Sequence, residues 1–143
     1  MPEEFWLWAI AFSLTLAVEG AVLGLLGTRI ALPRFTLAAF LAANSLTHPC
    51  LWFLFPVFGP RHIWLFVAEG SVVSTEAMIW SAAFRLTGAW NNPDSDGDGW
   101  EHAIRLGFLT SLLTNGASTL AGVLLDGWGF WTWITDSILQ HQG

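Results

Sequence analysis

Glu19, Glu69 and Glu76 stand inside long apolar runs, where a carboxyl has few natural partners. Asn44, Thr47 and His48 share a second such run, and Ser111, Asn115 and Ser118 share the last. A charge at the centre of a bilayer costs at least ~2.5 kcal/mol, so these side chains are expected to face one another inside a bundle rather than lipid. Their spacing agrees. Asn44 and His48 are four apart and stack on one helix face, and Glu69 and Glu76 are two turns apart on another. Ser111, Asn115, Ser118 and Gly122 make a stripe whose small residues let a neighbouring helix come close. At about 1.5 Å per residue from the Arg-bearing loops, Glu19, Asn44, Glu76 and Asn115 share one level roughly 13–17 Å deep. His48, Glu69 and Ser118 fall a layer further on, at roughly 20–24 Å.

Several chemistries suit this set. Carboxyls with no Arg or Lys at their depth can share or relay protons, with Asn44 and Asn115 orienting them. Glu19, His48, Glu69 and Glu76 could together hold a divalent metal, and oxygen ligands with one imidazole suit Mn, Fe or Zn. The spacing matches neither Glu-x-x-His nor His-Glu-x-x-His. Asn115 and Ser118 are also expected to serve as interhelical hydrogen-bonding residues. Thr47 is expected to bond back to its own helix and ease the bend before Pro49. Cys50 lies two residues from His48 on a different face, where a lone thiol is usually inert packing.

A second candidate site is polar. Asp94-Ser-Asp96-Gly-Asp98-Gly99 has the alternating carboxylates and turn-making glycine of a calcium loop. The loop departs from that pattern at its twelfth position, which is Arg105 rather than a bidentate Glu. The plain alternative is a solvated acidic loop.

The elements that must position these residues follow from composition. Of the 143 residues, 54% are hydrophobic and 11% charged, with five Arg, no Lys and a net charge of −6. Such a charge deficit excludes a nucleic-acid binder, which needs a basic patch, and the aromatic content excludes a disordered chain. A single cysteine excludes a disulfide scaffold. Four apolar stretches, at about 5–28, 35–58, 62–84 and 103–125, are each long enough to cross a bilayer. Residues Gly27 and Pro33, then Pro56, Gly59 and Pro60, then Gly88 and Pro93 punctuate them. The expected fold is all-α: a single domain over 1–143, polytopic, with four transmembrane helices in an up-down antiparallel bundle. No long internal repeat is evident, since the helix pairs do not match residue for residue.

Trp6, Trp8, Trp64 and Trp90 fall near span ends, where an amphipathic ring suits the headgroup layer. The Trp-rich tail, 128–142, is too short to cross again and reads as an interfacial segment. The opening MPEEFW has acidic residues where a cleavable signal needs basic ones, so the first span is expected to remain. Arg29, Arg34, Arg85 and Arg105 against Arg61 put the first and third loops in the cytoplasm and both termini outside. A prokaryotic inner membrane is the expected location, with the lipid bilayer as the first partner and a homo-oligomer or larger membrane complex as others.

The segment Leu16-Ala-Val-Glu19-Gly20 resembles the first-helix Glu segment of small multidrug-resistance exporters, which are also four-helix proteins. It covers a handful of residues. Asn44-Ser-Leu-Thr-His-Pro49 and the third-span carboxylates do not fit that pattern, and no function is carried over. The leading expectation is a buried carboxylate and histidine site that handles protons, a small cation or a metal, in transport or intramembrane catalysis. The rival is an accessory subunit of a larger membrane complex, with His48 contacting a pigment or haem.

Overall fold

The computed structural model describes residues 3–54, 61–86, 99–130, 132–134 and 136, with backbone alone at 3, 4 and 61–66. They are overwhelmingly helical, with no strand among them. Helix α1 spans Glu3–Leu26 and α2 spans Thr36–Pro49, continued by a π-helical turn at Cys50–Leu54. Helix α3 spans Arg61–Leu86 and α4 spans Trp100–Gly127. The acidic loop of Asp94, Asp96 and Asp98 lies outside the described residues, as do Pro56, Gly59, Pro60, Gly88, Trp90 and Pro93.

Three of these elements, at Phe5–Leu26, Thr36–Leu54 and Trp100–Gly127, are long and apolar enough to cross a membrane. Their outer surfaces are correspondingly greasy: Leu25, Leu37, Val123 and Leu120 are all at least 60% exposed. A continuous apolar exterior of this kind has no place in water and suits lipid. The chain is therefore a membrane-embedded protein. Helix α3 is 26 residues long but less apolar, because Glu69, Ser71, Ser74 and Glu76 interrupt it. It also has a well-buried inner face. Val72, Glu76, Trp80 and Phe84 are all buried on its inner side.

Local chemistry sets the ends. After α1, Gly27, Thr28, Arg29 and Ile30 return their backbone N–H groups to carbonyls of the last turn at 2.8–3.1 Å. At α2, the Thr36 amide donates to Pro33 O at 2.9 Å, and the Thr36 hydroxyl donates to the same oxygen. Pro49 cannot donate a backbone N–H, and the helix re-registers there into the wider π turn. At the end of α4, Gly129 takes φ +71°, a left-handed stop that glycine adopts without Cβ strain. Trp128 and Trp133 beyond it are strongly exposed, and Phe130, 132–134 and 136 are helical.

Two helix pairs run antiparallel by their register. Ser81 meets Gly107, Val73 meets Ser111 and Glu76 meets Asn115, so α4 rises in number as α3 falls. Glu19 meets Asn44 and Thr15 meets His48 in the same sense between α1 and α2. A hydrophobic cluster of Leu23, Phe40, Trp80, Phe84 and Ala103 gathers all four helices at one end.

The α3–α4 contact is by far the most extensive. It depends on Gly107, where an added Cβ would lie 2.6 Å from Ala77 O and from the Ser81 backbone N, and nearer still to Ser81 Oγ. The first two are backbone atoms that cannot swing away. Replacing Gly107 with Ala should therefore destabilise the protein by about 1–3 kcal/mol, the usual range for overpacking. Unfolding in detergent tests this, with Gly122→Ala as the control, since nothing lies within 4 Å of a Cβ at Gly122.

Candidate functional site

The site grows from two carboxyls. Glu19 on α1 and Glu76 on α3 are each about 1% exposed. Asn44 Nδ2 donates to Glu19 Oε2 at 2.9 Å, and Ser118 Oγ lies 3.0 Å from Glu19 Oε1. Asn115 Nδ2 donates to Glu76 Oε2 at 2.6 Å, and Thr47 Oγ1 lies 2.9 Å from Glu76 Oε1. Each carboxyl thus has an amide on one oxygen and a hydroxyl on the other. All four partners are neutral.

The amides are themselves held in place. Asn44 Nδ2 also reaches Phe40 O at 3.3 Å, and Asn115 Nδ2 reaches Ser111 O at 3.0 Å. Bonding to the preceding turn fixes each Asn rotamer, so the carboxyl meets a rigid donor. Exposed Ser71 and Ser74 satisfy their own hydroxyls in the same way, at 2.7 Å each, which lets them sit on an outward face.

One cavity of about 280 Å³ is lined by Glu19, Asn44, His48, Glu69, Glu76 and Asn115, with Thr15, Thr47 and Ser118 among its other walls. The six residues singled out from the sequence therefore meet around one space. Glu69 is half-buried and lines the same cavity as Glu19 and Glu76. Among the described residues, no Arg lines the cavity.

His48 has a different setting. Its Nε2 lies 3.3 Å from Thr15 Oγ1, while Nδ1 is buried without a hydrogen-bond partner among the described residues. Phe12 packs at 5.0 Å between ring centroids, and Trp52 stacks at 6.4 Å with 19° between planes. Trp8 stands 6.4 Å away and also stacks on Phe12. So Trp8 is not only an interface residue, as its position near a span end suggests; it helps box the imidazole.

Among the described residues, no three of His, Cys, Asp and Glu come together as a group able to hold a metal ion. In this arrangement Glu19 and Glu76 turn their oxygens toward Asn, Ser and Thr, and His48 toward Thr15. Spacing alone puts Ser118 a layer away from Glu19, yet the two are hydrogen-bonded.

One regularity escapes a reading of the sequence. Asn44-Ser-Leu-Thr47 and Asn115-Gly-Ala-Ser118 are the same Asn-x-x-hydroxyl pattern on α2 and α4. Their four side chains are the donors to the two carboxyls. The match is too short to register as a repeat, and only the bonded partners give it meaning.

No family model, curated protein or solved structure matches the chain. The chemistry of the site accordingly rests on its own geometry.

The amide bonds should be measurable. Asn115→Ala should cost about 1–2 kcal/mol, the range found for interhelical hydrogen bonds in membranes. A double-mutant cycle with Glu76→Ala should show coupling of order 1 kcal/mol. The same cycle with Glu19→Ala should show much less, because Asn115 donates its amide to Glu76 and not to Glu19.

Proposed function

We propose that this chain is a four-span membrane protein whose Glu19 and Glu76 exchange protons with a small cationic solute entering the cavity between them. The observation that carries this reading is the pair's surroundings. Both carboxyls are almost wholly enclosed, both reach one cavity, and among the described residues every hydrogen bond they receive comes from a neutral group.

The reason is electrostatic. An ionised carboxylate taken out of water loses several kcal/mol of solvation, and neutral dipoles recover only part of it. Something positive must balance the charge. With no Arg among the described residues of the cavity wall, the balance comes from a proton on the carboxyl or a cation in the cavity. Those two exclude each other, since they compete for the same oxygens. A site of this kind exchanges one for the other, which is the elementary step of proton-linked transport.

Two further features support four spans. A helix of 26 residues such as α3 reaches about 39 Å, beyond the ~30 Å of hydrocarbon. Its less apolar composition suits a helix whose Glu76 faces inward. The antiparallel registers within α1–α2 and α3–α4 suit an up-down bundle. Arg29 and Arg34 follow α1 and precede α2, while Arg85 and Arg105 lie at the matching ends of α3 and α4. Positive charge at that end points it to the cytoplasm, with both termini outside.

Topology is tested by cysteine accessibility in a Cys50→Ala background. Cysteines at positions 31 and 91 should label from one side of sealed vesicles and position 60 from the other. Labelling of all three from the same side overturns the four-span arrangement.

Proton exchange is tested in vesicles loaded with a pH-sensitive dye. A panel of alkali cations and small primary amines is added outside. The wild type should move protons in response to at least one of them. Glu19→Gln or Glu76→Gln should fall to the level of empty vesicles while keeping a wild-type thermal transition, since Gln preserves shape and most hydrogen bonding. If both Gln variants retain full flux, the carboxyls are structural and the reading fails.

A further inference from the structure

The four hydrogen bonds at the carboxyls obey a rule. Take α1 with α2 as one hairpin and α3 with α4 as the other. Glu19 receives its amide from Asn44, in its own hairpin, and its hydroxyl from Ser118, in the opposite one. Glu76 receives its amide from Asn115, in its own hairpin, and its hydroxyl from Thr47, again in the opposite one. Each site is therefore completed across the hairpin boundary by one hydroxyl, and the two sites share one bonding pattern.

Each hydroxyl also has a competing acceptor. Thr47 Oγ1 lies 2.9 Å from Ala43 O and 2.9 Å from Glu76 Oε1. Ser118 Oγ lies 3.1 Å from Asn115 O and 3.0 Å from Glu19 Oε1. A hydroxyl has one hydrogen and can donate to only one of them at a time. Two arrangements satisfy every atom. With the proton on Glu76, the carboxyl O–H donates to Thr47 Oγ1, and Thr47 donates to Ala43 O. When that proton leaves to the cavity, the Thr47 hydrogen turns from Ala43 O to Glu76 Oε1. Ser118 alternates in the same way between Asn115 O and Glu19 Oε1. No heavy atom has to move for the hydrogen to switch.

We propose that Thr47 and Ser118 are positioning residues that transmit the protonation of each hairpin's carboxyl to the other hairpin. The inference rests on the proton-exchange reading above. A hydroxyl donating to a carboxylate makes a charge-assisted bond, roughly twice as strong as its neutral counterpart. Loss of the protons therefore draws the two hairpins together through both bonds, and regaining them slackens both. The slack in the packing lies within the first hairpin: α1 and α2 barely touch each other, and each is held mainly against the second hairpin, through α1–α4 and α2–α3. The titratable groups facing the pair are each other, Glu69 from α3 and His48 from α2. On the cavity wall α1 adds Thr15, and α4 adds Asn115, Ser118 and Thr119, none of which titrates there.

The test reads movement and titration separately. Spin labels are placed through Ala31→Cys in the first hairpin and Leu86→Cys in the second, on a Cys50→Ala background, in lipid nanodiscs. Distances between them are recorded by double electron–electron resonance across a pH series. The carbonyl stretch of protonated carboxyls is followed by infrared spectroscopy on the same samples. The unsubstituted site should show a distance distribution that shortens or narrows as the carboxyl band disappears. Thr47→Val with Ser118→Ala should abolish the distance change while the band still titrates. Thr47→Ser with Ser118→Thr should restore it, which a merely space-filling role would not require. If the double variant does not fold, Thr47→Val and Ser118→Ala alone should each reduce the change. A distance change that survives loss of both hydroxyls overturns the proposal, as does a band that titrates with no distance change in the unsubstituted site. A carboxyl band that never titrates instead removes the proton-exchange reading, and this proposal with it.

Discussion

A carboxyl in a low-dielectric interior must find donors, and nearly every feature of this protein follows from satisfying two of them at once. One helix cannot do so, because its own backbone donors are already committed to the helical ladder. Glu19 therefore needs α2 and α4, and Glu76 needs α4 and α2. Helices α2 and α4 are the suppliers, and each serves both carboxyls. The four helices are thus tied at one level by side chains, and at one end by the cluster around Trp80 and Phe84. The glycine contact at Gly107 sits beyond the polar layer and lets α3 and α4 approach closely enough for Asn115 to reach Glu76.

The membrane character was plain from composition, because long apolar runs with so little charge would aggregate in water and are stable in lipid. Helix limits were also legible to within a few residues: about 5–28 against Glu3–Leu26, and about 103–125 against Trp100–Gly127. The break in the second run at Pro49 was legible as well, since a missing N–H must disturb the ladder somewhere. Its form as a π turn was not, because that depends on how the following carbonyls find new partners. Helix α3 was the least faithful to the apolar pattern, and its burial explains why: an enclosed helix can carry Glu76 and Ser81 at no exposure to lipid.

The site was legible as a set and illegible as a wiring. Spacing places Asn44, Glu19, Glu76 and Asn115 at one depth, and depth alone brings them together. It does not say which amide meets which carboxyl, because four residues at one level admit several pairings. Thr47 and Ser118 were readable only as residues that bond helix backbone or a neighbouring helix. They do bond their own helices, at Ala43 O and Asn115 O, and the second acceptor on each is a tertiary fact. Ligand types alone do not show what the carboxyls bond either: here their partners are amides and hydroxyls.

Rigid and loose contacts divide the labour. Had all helix pairs been packed like α3–α4, the polar layer would be a static knot. Instead the tight seam lies within the second hairpin, α1 and α2 barely touch, and the cavity is lined from all four helices. His48 stands on that cavity beside Pro49 and the π turn, where the α2 backbone is least regular. Its aromatic box fills the space around the imidazole without hydrogen-bonding Nδ1. Glu69, half-buried, lines the same space. The order from Glu69 to Glu19 and Glu76 is then a gradient from partial exposure to complete enclosure.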